Sequence, residues 1–307
     1  MITDQSNQKS GHSCSYIIIP VYNRKATTLK CLETLDSSGD LKRCSVVVVD
    51  DASTDGTSEA IRARFPEVTV LLTKGHLWWT GAIKKGMEYA YSEGAAHFIW
   101  LNDDTLPSQE AIKLLLTAAL HPNSKKLVSA QCYQNSDFAT PTYGGRRRKR
   151  FALQFLLARR GETIEADVLS GNLVCLPRSV VDDIGYPPSE QAPQTWADVV
   201  YTWKAKQSGY RIEVLGEAIA VCPENELEEG WASSSIPMMK RWAMLNTPKS
   251  SIYPPAYWLY CKSLYGPLGF VPFVRVYVNL IVFTILRFFL PLKLLKALKK
   301  FKNSYIS

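Results

Sequence analysis

Two apolar runs of strand length, each stopping in adjacent carboxylates, constrain this chain more than any other feature. The first is Val46-Val47-Val48-Val49-Asp50-Asp51, which continues into Ala52-Ser53-Thr54-Asp55-Gly56-Thr57. The second is Phe98-Ile99-Trp100-Leu101-Asn102-Asp103-Asp104. A strand without polar alternation belongs in a sheet covered on both faces, as parallel sheets are. Ligands of such sheets gather beyond the carboxyl ends of the strands. Carboxylates clustered there are costly unless a cation or hydrogen-bond donors offset them. A divalent metal gripping a diphosphate meets that need.

Around these runs, strand and helix alternate four times over the first 120 residues. Strands are expected at residues 15–19, 45–49, 68–72 and 97–101, with helices at 25–37, 57–64 and 80–92 and a further helix opened by Pro107. Parallel strands need crossover helices, so the pattern predicts an α/β fold with a Rossmann-like, mostly parallel central sheet and helices on both faces. Beyond residue 125 the rhythm loosens. Strands are expected at 127–131, 168–176 and 211–221, with a helix at 196–208 closed by Gly209. The organisation read from this is a polar tail (1–14), a first half (15–125), a second half of the same domain (126–230) and a C-terminal extension (231–307).

Charge divides the chain at the start of that extension. No Asp or Glu follows Glu229, whereas eleven of the 36 Lys and Arg do, leaving 25 cations against 28 acids in the body. The tail interleaves its cations with Leu, Ile, Val and Phe, which favours an anionic membrane surface over nucleic acid. Its apolar run at 276–286 falls short of the roughly 20 residues a spanning helix needs. Residues 292–300 alternate Leu and Lys as an interfacial helix would. An in-plane helix, a true span, and a helix pair packed on the body all remain open. Seven scattered cysteines without a CxxC pair argue for a reducing compartment and against a zinc site. A polar start without an apolar core argues against a secretory signal.

Five segments, in order, resemble the inverting glycosyltransferases of the GT-A fold, family 2 of the sequence classification. They are Ile17-Ile18-Ile19-Pro20-Val21-Tyr22-Asn23-Arg24, the stretch from Val49 to Thr57, Leu101-Asn102-Asp103-Asp104, Ser170-Gly171-Asn172-Leu173-Val174, and the stretch from Ala197 to Tyr210. Leu77-Trp78-Trp79-Thr80-Gly81-Ala82 is similar to a bacterial, rhamnosyltransferase-like branch that builds surface polysaccharide.

The resemblance implies a nucleoside diphosphate sugar donor, linked to uridine or thymidine, and a glycan or lipid-linked glycan acceptor at the cytoplasmic face of a membrane. It assigns Asp51 to the base, whose imide N–H a carboxylate can accept. Pro20, Tyr22, Asn23 and Arg24 would line the nucleotide pocket, and Asp103 would touch the ribose or donor sugar. Asp104 would ligate Mg²⁺ or Mn²⁺, and Asp198 would be the catalytic base. Gly171 and Asn172 would floor the acceptor site. Two departures stand out: Cys222 lies where relatives often have a metal-assisting His, and Ala197 replaces a Glu before the base.

Other residues stay ambiguous at this level. Trp78 and Trp79 suit either a sugar platform or a core anchor, and Lys84 and Lys85 suit either phosphate contact or a solvated face. The run Arg146-Arg147-Arg148-Lys149-Arg150 suits either an anion clamp or a solvated loop. A sugar-nucleotide pyrophosphorylase or a dinucleotide oxidoreductase is disfavoured because no glycine-rich loop follows the first strand. A catalytically degenerate scaffold or glycan-binding protein is the remaining alternative.

Overall fold

The computed structural model describes residues 15–119, 125–224 and 236–289. In chain order the elements are β1 (Ser15–Val21), α1 (Lys25–Ser37), α2 (Asp40–Arg43), β2 (Ser45–Asp50), α3 (Thr57–Arg64), β3 (Thr69–Leu72), α4 (Trp78–Ser92), β4 (His97–Leu101), β5 (Leu106–Pro107) and α5 (Ala111–Ala119). There follow β6 (Lys126–Tyr133), β7 (Gly145–Lys149), β8 (Ala152–Leu156), β9 (Thr163–Glu165), β10 (Val168–Leu169), β11 (Leu173–Pro177), α6 (Ser179–Ile184), α7 (Ala197–Gln207) and β12 (Arg211–Val221). Three helices complete the described chain: α8 (Met238–Ala243), α9 (Pro254–Tyr265) and α10 (Phe270–Phe289).

The main sheet runs β3-β2-β1-β4-β11-β6-β12-β5, with β9 also paired to β12. β3, β2, β1 and β4 are mutually parallel, as are β6 and β12, while β11 is inserted antiparallel between β4 and β6. The apolar runs are explained by this double cover. Ile17, Ile19, Val46, Val48, Ile99 and Leu101 pack towards Leu32, Leu35, Ile61 and Leu115 of the helices on one face. Ile18, Val47, Val49, Phe98 and Trp100 pack towards Ile83, Met87 and Tyr201 on the other. Alternate residues are thus buried on opposite faces, each worth roughly 1.5–3 kcal/mol. Gly86 lets α4 sit directly on the sheet, since a β-carbon there would fall 2.4 Å from Ile18 Cγ2.

Three local expectations need correction. Pro107 does not open a helix: it pairs antiparallel with Ala220 in β5, the last strand of the sheet, where a missing N–H is tolerated. The expected strand at 168–176 is broken at residues 170–172. β10 joins a separate three-stranded sheet with β7 and β8, and β11 joins the main sheet. Residues 146–149 of the basic run lie in strand β7 rather than in a loop.

The extension is partly built into the body. Tyr257, Tyr260, Cys261, Leu264 and Tyr265 of α9 form one apolar cluster with Val199 and Val200 of α7. α10 is a single 20-residue helix rather than the shorter apolar run expected. The helical stretch Pro254–Leu286 is long and apolar enough to cross a membrane by length and composition. Val274, Val278, Ile281, Val282, Ile285 and Phe289 of α10 are exposed. The tail 1–14, residues 225–235 and the Leu/Lys alternation at 292–300 lie outside the described residues.

Candidate active site

Parallel register brings the ends of β1 and β2 together, pairing Val21 with Asp50, and the loops that follow are tied to each other. Asn23, in the left-handed region at φ 51°, donates its amide to Ser53 Oγ at 2.8 Å and accepts the Thr54 amide on Oδ1 at 2.7 Å. Asp50 is occupied locally, accepting the Ser53 amide at 2.8 Å and the Ser58 hydroxyl at the start of α3. Pro20 lies within β1 opposite Val49, and Tyr22 is 59% exposed at the loop tip.

Asp51, 7% exposed, turns the other way. Its carboxylate accepts the Thr73 hydroxyl at 2.7 Å, the Leu77 amide at 2.9 Å and the Trp78 amide at 3.1 Å. It therefore caps α4, a helix that starts 27 residues later, where the amide ends and helix dipole favour negative charge. Three donors leave part of the capacity of a carboxylate, about four lone pairs, still open. Ala52, His76 and Trp78 beside it also hold positive φ, as residues at functional sites often do.

Beyond β4, Arg24 reaches across from the first loop. Its Nη1 lies 3.0 Å from Asp103 Oδ1, and Nη1 and Nη2 both lie 3.1 Å from Asp104 Oδ2. Burial pushes the Asp103 carboxyl up to about 6, against the opposing pull of Arg24. The Cys222 thiol lies 3.9 Å from Asp104 Oδ1, within reach of Thr105 and Asn172. Burial pushes it up to about 12. Among the described residues no group of three or more His, Cys, Asp or Glu is arranged to hold a metal. The donor set that remains, one or two carboxylates on a strand-end loop, fits Mg²⁺ or Mn²⁺ when phosphate oxygens and water complete the shell.

The third aspartate lies in a cleft of about 310 Å³ lined by Trp79, Asn102, Arg146, Gly171, Asn172 and Trp196 among others. Asp198 lies in the first turn of α7 and accepts the Gly171 amide on Oδ2 and the Val199 amide on Oδ1, both at 2.8 Å. Burial raises its pKa, while those amides and the nearby Arg146 guanidinium act to lower it. A carboxylate poised this way has two fixed hydrogen bonds and a heightened proton affinity.

The break at 170–172 now has its reason. A β-carbon on Gly171 would fall 2.5 Å from the Trp79 indole and 3.2 Å from Asp198 Cβ, so glycine is required for this approach. The Trp79 Nε1–H donates to Asn102 Oδ1 at 2.7 Å, and its ring stands edge-on to Trp100. Trp79 and Trp78 thus separate: the first lines the cleft, and the second is held by Asp51 through its amide.

The cleft is lined by Asp198 but not by Asp51 or Asp104, which stand on adjoining segments. Trp79 follows the residue that Asp51 caps, and Asn102 precedes Asp103 and Asp104. A second hollow, lined by Glu33, Arg64 and Phe65 on the α1–α3 side, contains none of the motif residues.

Sequence reasoning missed Tyr143, Gln194, Thr195, Trp196 and Ser251 as cleft residues. Closeness to Asp198 in the chain is the one signal for Gln194 to Trp196, and Ser251 has none. Of the basic run, only Arg146 lines the cleft. Arg147 donates to the Glu165 carbonyl and Arg148 to the Leu264 carbonyl. Lys84 pairs with Glu88 at 4.0 Å and Lys85 is exposed, as a solvated helix face would have them.

This curled α/β sheet, with its acidic strand ends and an antiparallel strand inserted beside β4, is the GT-A architecture of glycosyltransferases. Solved structures share it: GalNAc-T7 with UDP, GalNAc and Mn²⁺ superposes with a TM-score of 0.58 at 14% identity, over 86% of this chain. The present chain spans only 54% of that protein. The mannosyltransferase PcManGT from Pyrobaculum calidifontis, in complex with GDP-Man and Mn²⁺, gives 0.54 at 16% identity, over 95% of this chain and 80% of that one. In sequence, the glycosyltransferase AglE of Haloferax volcanii is 25% identical over 217 residues, 69% of this chain and 68% of that protein. Residues 16–185 match the family described as glycosyl transferase family 2, and the chain belongs to that family.

The buried Asp103 carboxyl makes metal-free stability depend on pH. Its folded pKa of about 6 exceeds the ordinary 3.8, so between those values the folded chain keeps a proton that the unfolded chain has shed. Stability from this group is full below about pH 4 and falls as pH rises through 6, by up to about 3 kcal/mol. Asp103→Asn should flatten that slope and raise stability at pH 7 by about 1–3 kcal/mol in urea unfolding. An unchanged slope, with no gain at pH 7, would contradict the burial argument.

Proposed function

We propose that this chain is an inverting, metal-assisted hexosyltransferase. It would move a sugar from a uridine or thymidine diphosphate donor to a hydroxyl of a glycan or lipid-linked glycan precursor. The observation that carries the reading is the Asp198 carboxylate, fixed by the Gly171 amide and facing a cleft floored by Gly171 and walled by the Trp79 ring. In this reading Asp198 accepts the acceptor hydroxyl proton as that oxygen attacks the anomeric carbon. The bond from that carbon to the diphosphate oxygen breaks on the opposite face, its electron pair leaves with the diphosphate, and one displacement inverts the centre.

Asp51 uses its remaining lone-pair capacity for the base, and the loop from Pro20 to Arg24 lies along the nucleotide. Asp103 sits beside the sugar or ribose. Asp104 holds Mg²⁺ or Mn²⁺, which when bound offsets charge on the leaving diphosphate. Proteins of similar fold have been solved with UDP and Mn²⁺, with GDP-Man and Mn²⁺, and with UDP-GlcNAc. A rhamnosyl donor in surface-polysaccharide synthesis, suggested by the resemblance of residues 77–82, belongs to the same proposal.

The exposed apolar face of α10, followed by a tail rich in cations and free of acids, supports attachment to the anionic inner face of the cell membrane. That placement would bring a lipid-linked acceptor to the cleft.

Asp198→Asn should lower kcat for sugar transfer by about 10²–10⁴-fold, with UDP affinity by calorimetry changed less than about twofold. Proton NMR of the product should show the anomeric configuration opposite to the donor. Wild-type turnover in Asp198→Asn would remove the base assignment, and absence of turnover with every uridine and thymidine sugar would favour the scaffold reading. Separately, the full chain should co-sediment with phosphatidylglycerol vesicles at low salt and be released as salt rises. Equal or absent binding on pure phosphatidylcholine and phosphatidylglycerol vesicles would contradict an electrostatic membrane contact.

A further inference from the structure

We propose that Arg24 is the resident counter-cation of the Asp103–Asp104 pair, a charge that a divalent metal must displace and that a diphosphate draws away. The metal and the diphosphate then enter as a coupled pair. The first half of this proposal stands on the side chains alone, and the second half rests on the diphosphate-donor reading above.

Asp103 is 3% exposed and lies next to Asp104, so two like charges meet where water is scarce. Such a pair needs a nearby cation. Arg24 supplies it with one planar guanidinium whose two terminal nitrogens touch both carboxylates at 3.0–3.1 Å. Those contacts engage the same two carboxylates that a hard divalent ion would need. Metal and guanidinium would therefore compete for the Asp104 carboxylate, and their like charges oppose joint occupancy.

The Arg24 contact is also built to release. Its side chain is 43% exposed, whereas the backbone beside it is pinned through Asn23 to Ser53 and Thr54. The guanidinium can swing while the loop stays still. Two carboxylates provide too few ligands to hold a hard cation tightly. A metal arriving alone would break the arginine contacts and gain an incomplete shell. A metal arriving with a diphosphate gains phosphate oxygens, and the freed guanidinium gains a bidentate phosphate partner. Coupling of this kind is reciprocal: whatever the diphosphate adds to metal affinity, the metal adds to diphosphate affinity.

The test is Mn²⁺ titration of the full chain without nucleotide, reading free Mn²⁺ by electron paramagnetic resonance, for wild type, Arg24→Gln and Arg24→Lys. Arg24→Gln should bind Mn²⁺ at least fivefold more tightly than wild type. Arg24→Lys, which keeps a cation at the pair, should lie closer to wild type. With saturating UDP the wild-type Mn²⁺ affinity should rise at least tenfold, and the rise should shrink in Arg24→Gln. Equal or weaker nucleotide-free Mn²⁺ binding in Arg24→Gln, or no Mn²⁺ binding by any of the three, overturns the displacement. If UDP, dTDP and GDP all fail to bind, the donor reading and the coupling fall, while the nucleotide-free comparison still decides whether Arg24 is displaced.

Discussion

Everything near the cleft follows from the need to stabilise carboxylates at the ends of buried strands. Double cover makes the interior of the sheet apolar, so any acid at its carboxyl edge must find a donor or a cation within a few ångströms. Each of the three places finds a different one. Asp51 takes the amide end of α4, Asp103 and Asp104 share the Arg24 guanidinium, and Asp198 takes the Gly171 amide. These partners come from segments far apart in the chain, so satisfying the acids also fixes the loops that shape the cleft.

The extension adds a second constraint. Trp196 caps α7 with φ 68°, donates its indole N–H to the Ser251 carbonyl at 2.9 Å, and stacks on Tyr260 at 4.2 Å. Trp203, about two turns further along α7, donates to the Ser263 carbonyl. The helix that presents Asp198 is therefore clamped by α9, and α9 leads directly into the exposed apolar face of α10. A surface contact at α10 and the position of the proposed base are linked through one continuous packed unit.

Much of the fold was legible because it depends on local pattern. Unbroken Val and Ile runs report a sheet covered twice, and the helices between them carry Leu32, Leu35, Ile83 and Met87 at helical spacing. The place of Asp198 in the first turn of a helix was legible too. Contacts between distant residues were not. Asp51 meets residues 26 and 27 positions later, Arg24 meets Asp104 across 80 positions, and nothing in the spacing encodes either. The break at Gly171 was hidden inside an apolar stretch, since its cause is the Trp79 ring, 92 positions earlier in the chain. Pro107 misled because the same residue suits a helix start and a terminal strand.

A crystal structure of the complex with UDP and Mn²⁺ tests the central claim most directly: that Asp51 and Asp104, at two strand ends, and Asp198, in the first turn of α7, serve one bound donor. The expected result is the metal on Asp104, the uracil within hydrogen-bond distance of Asp51, and the β-phosphate facing the cleft that holds Asp198. Nucleotide bound elsewhere, as in the hollow beside Glu33 and Arg64, or a diphosphate remote from Asp104, would contradict it.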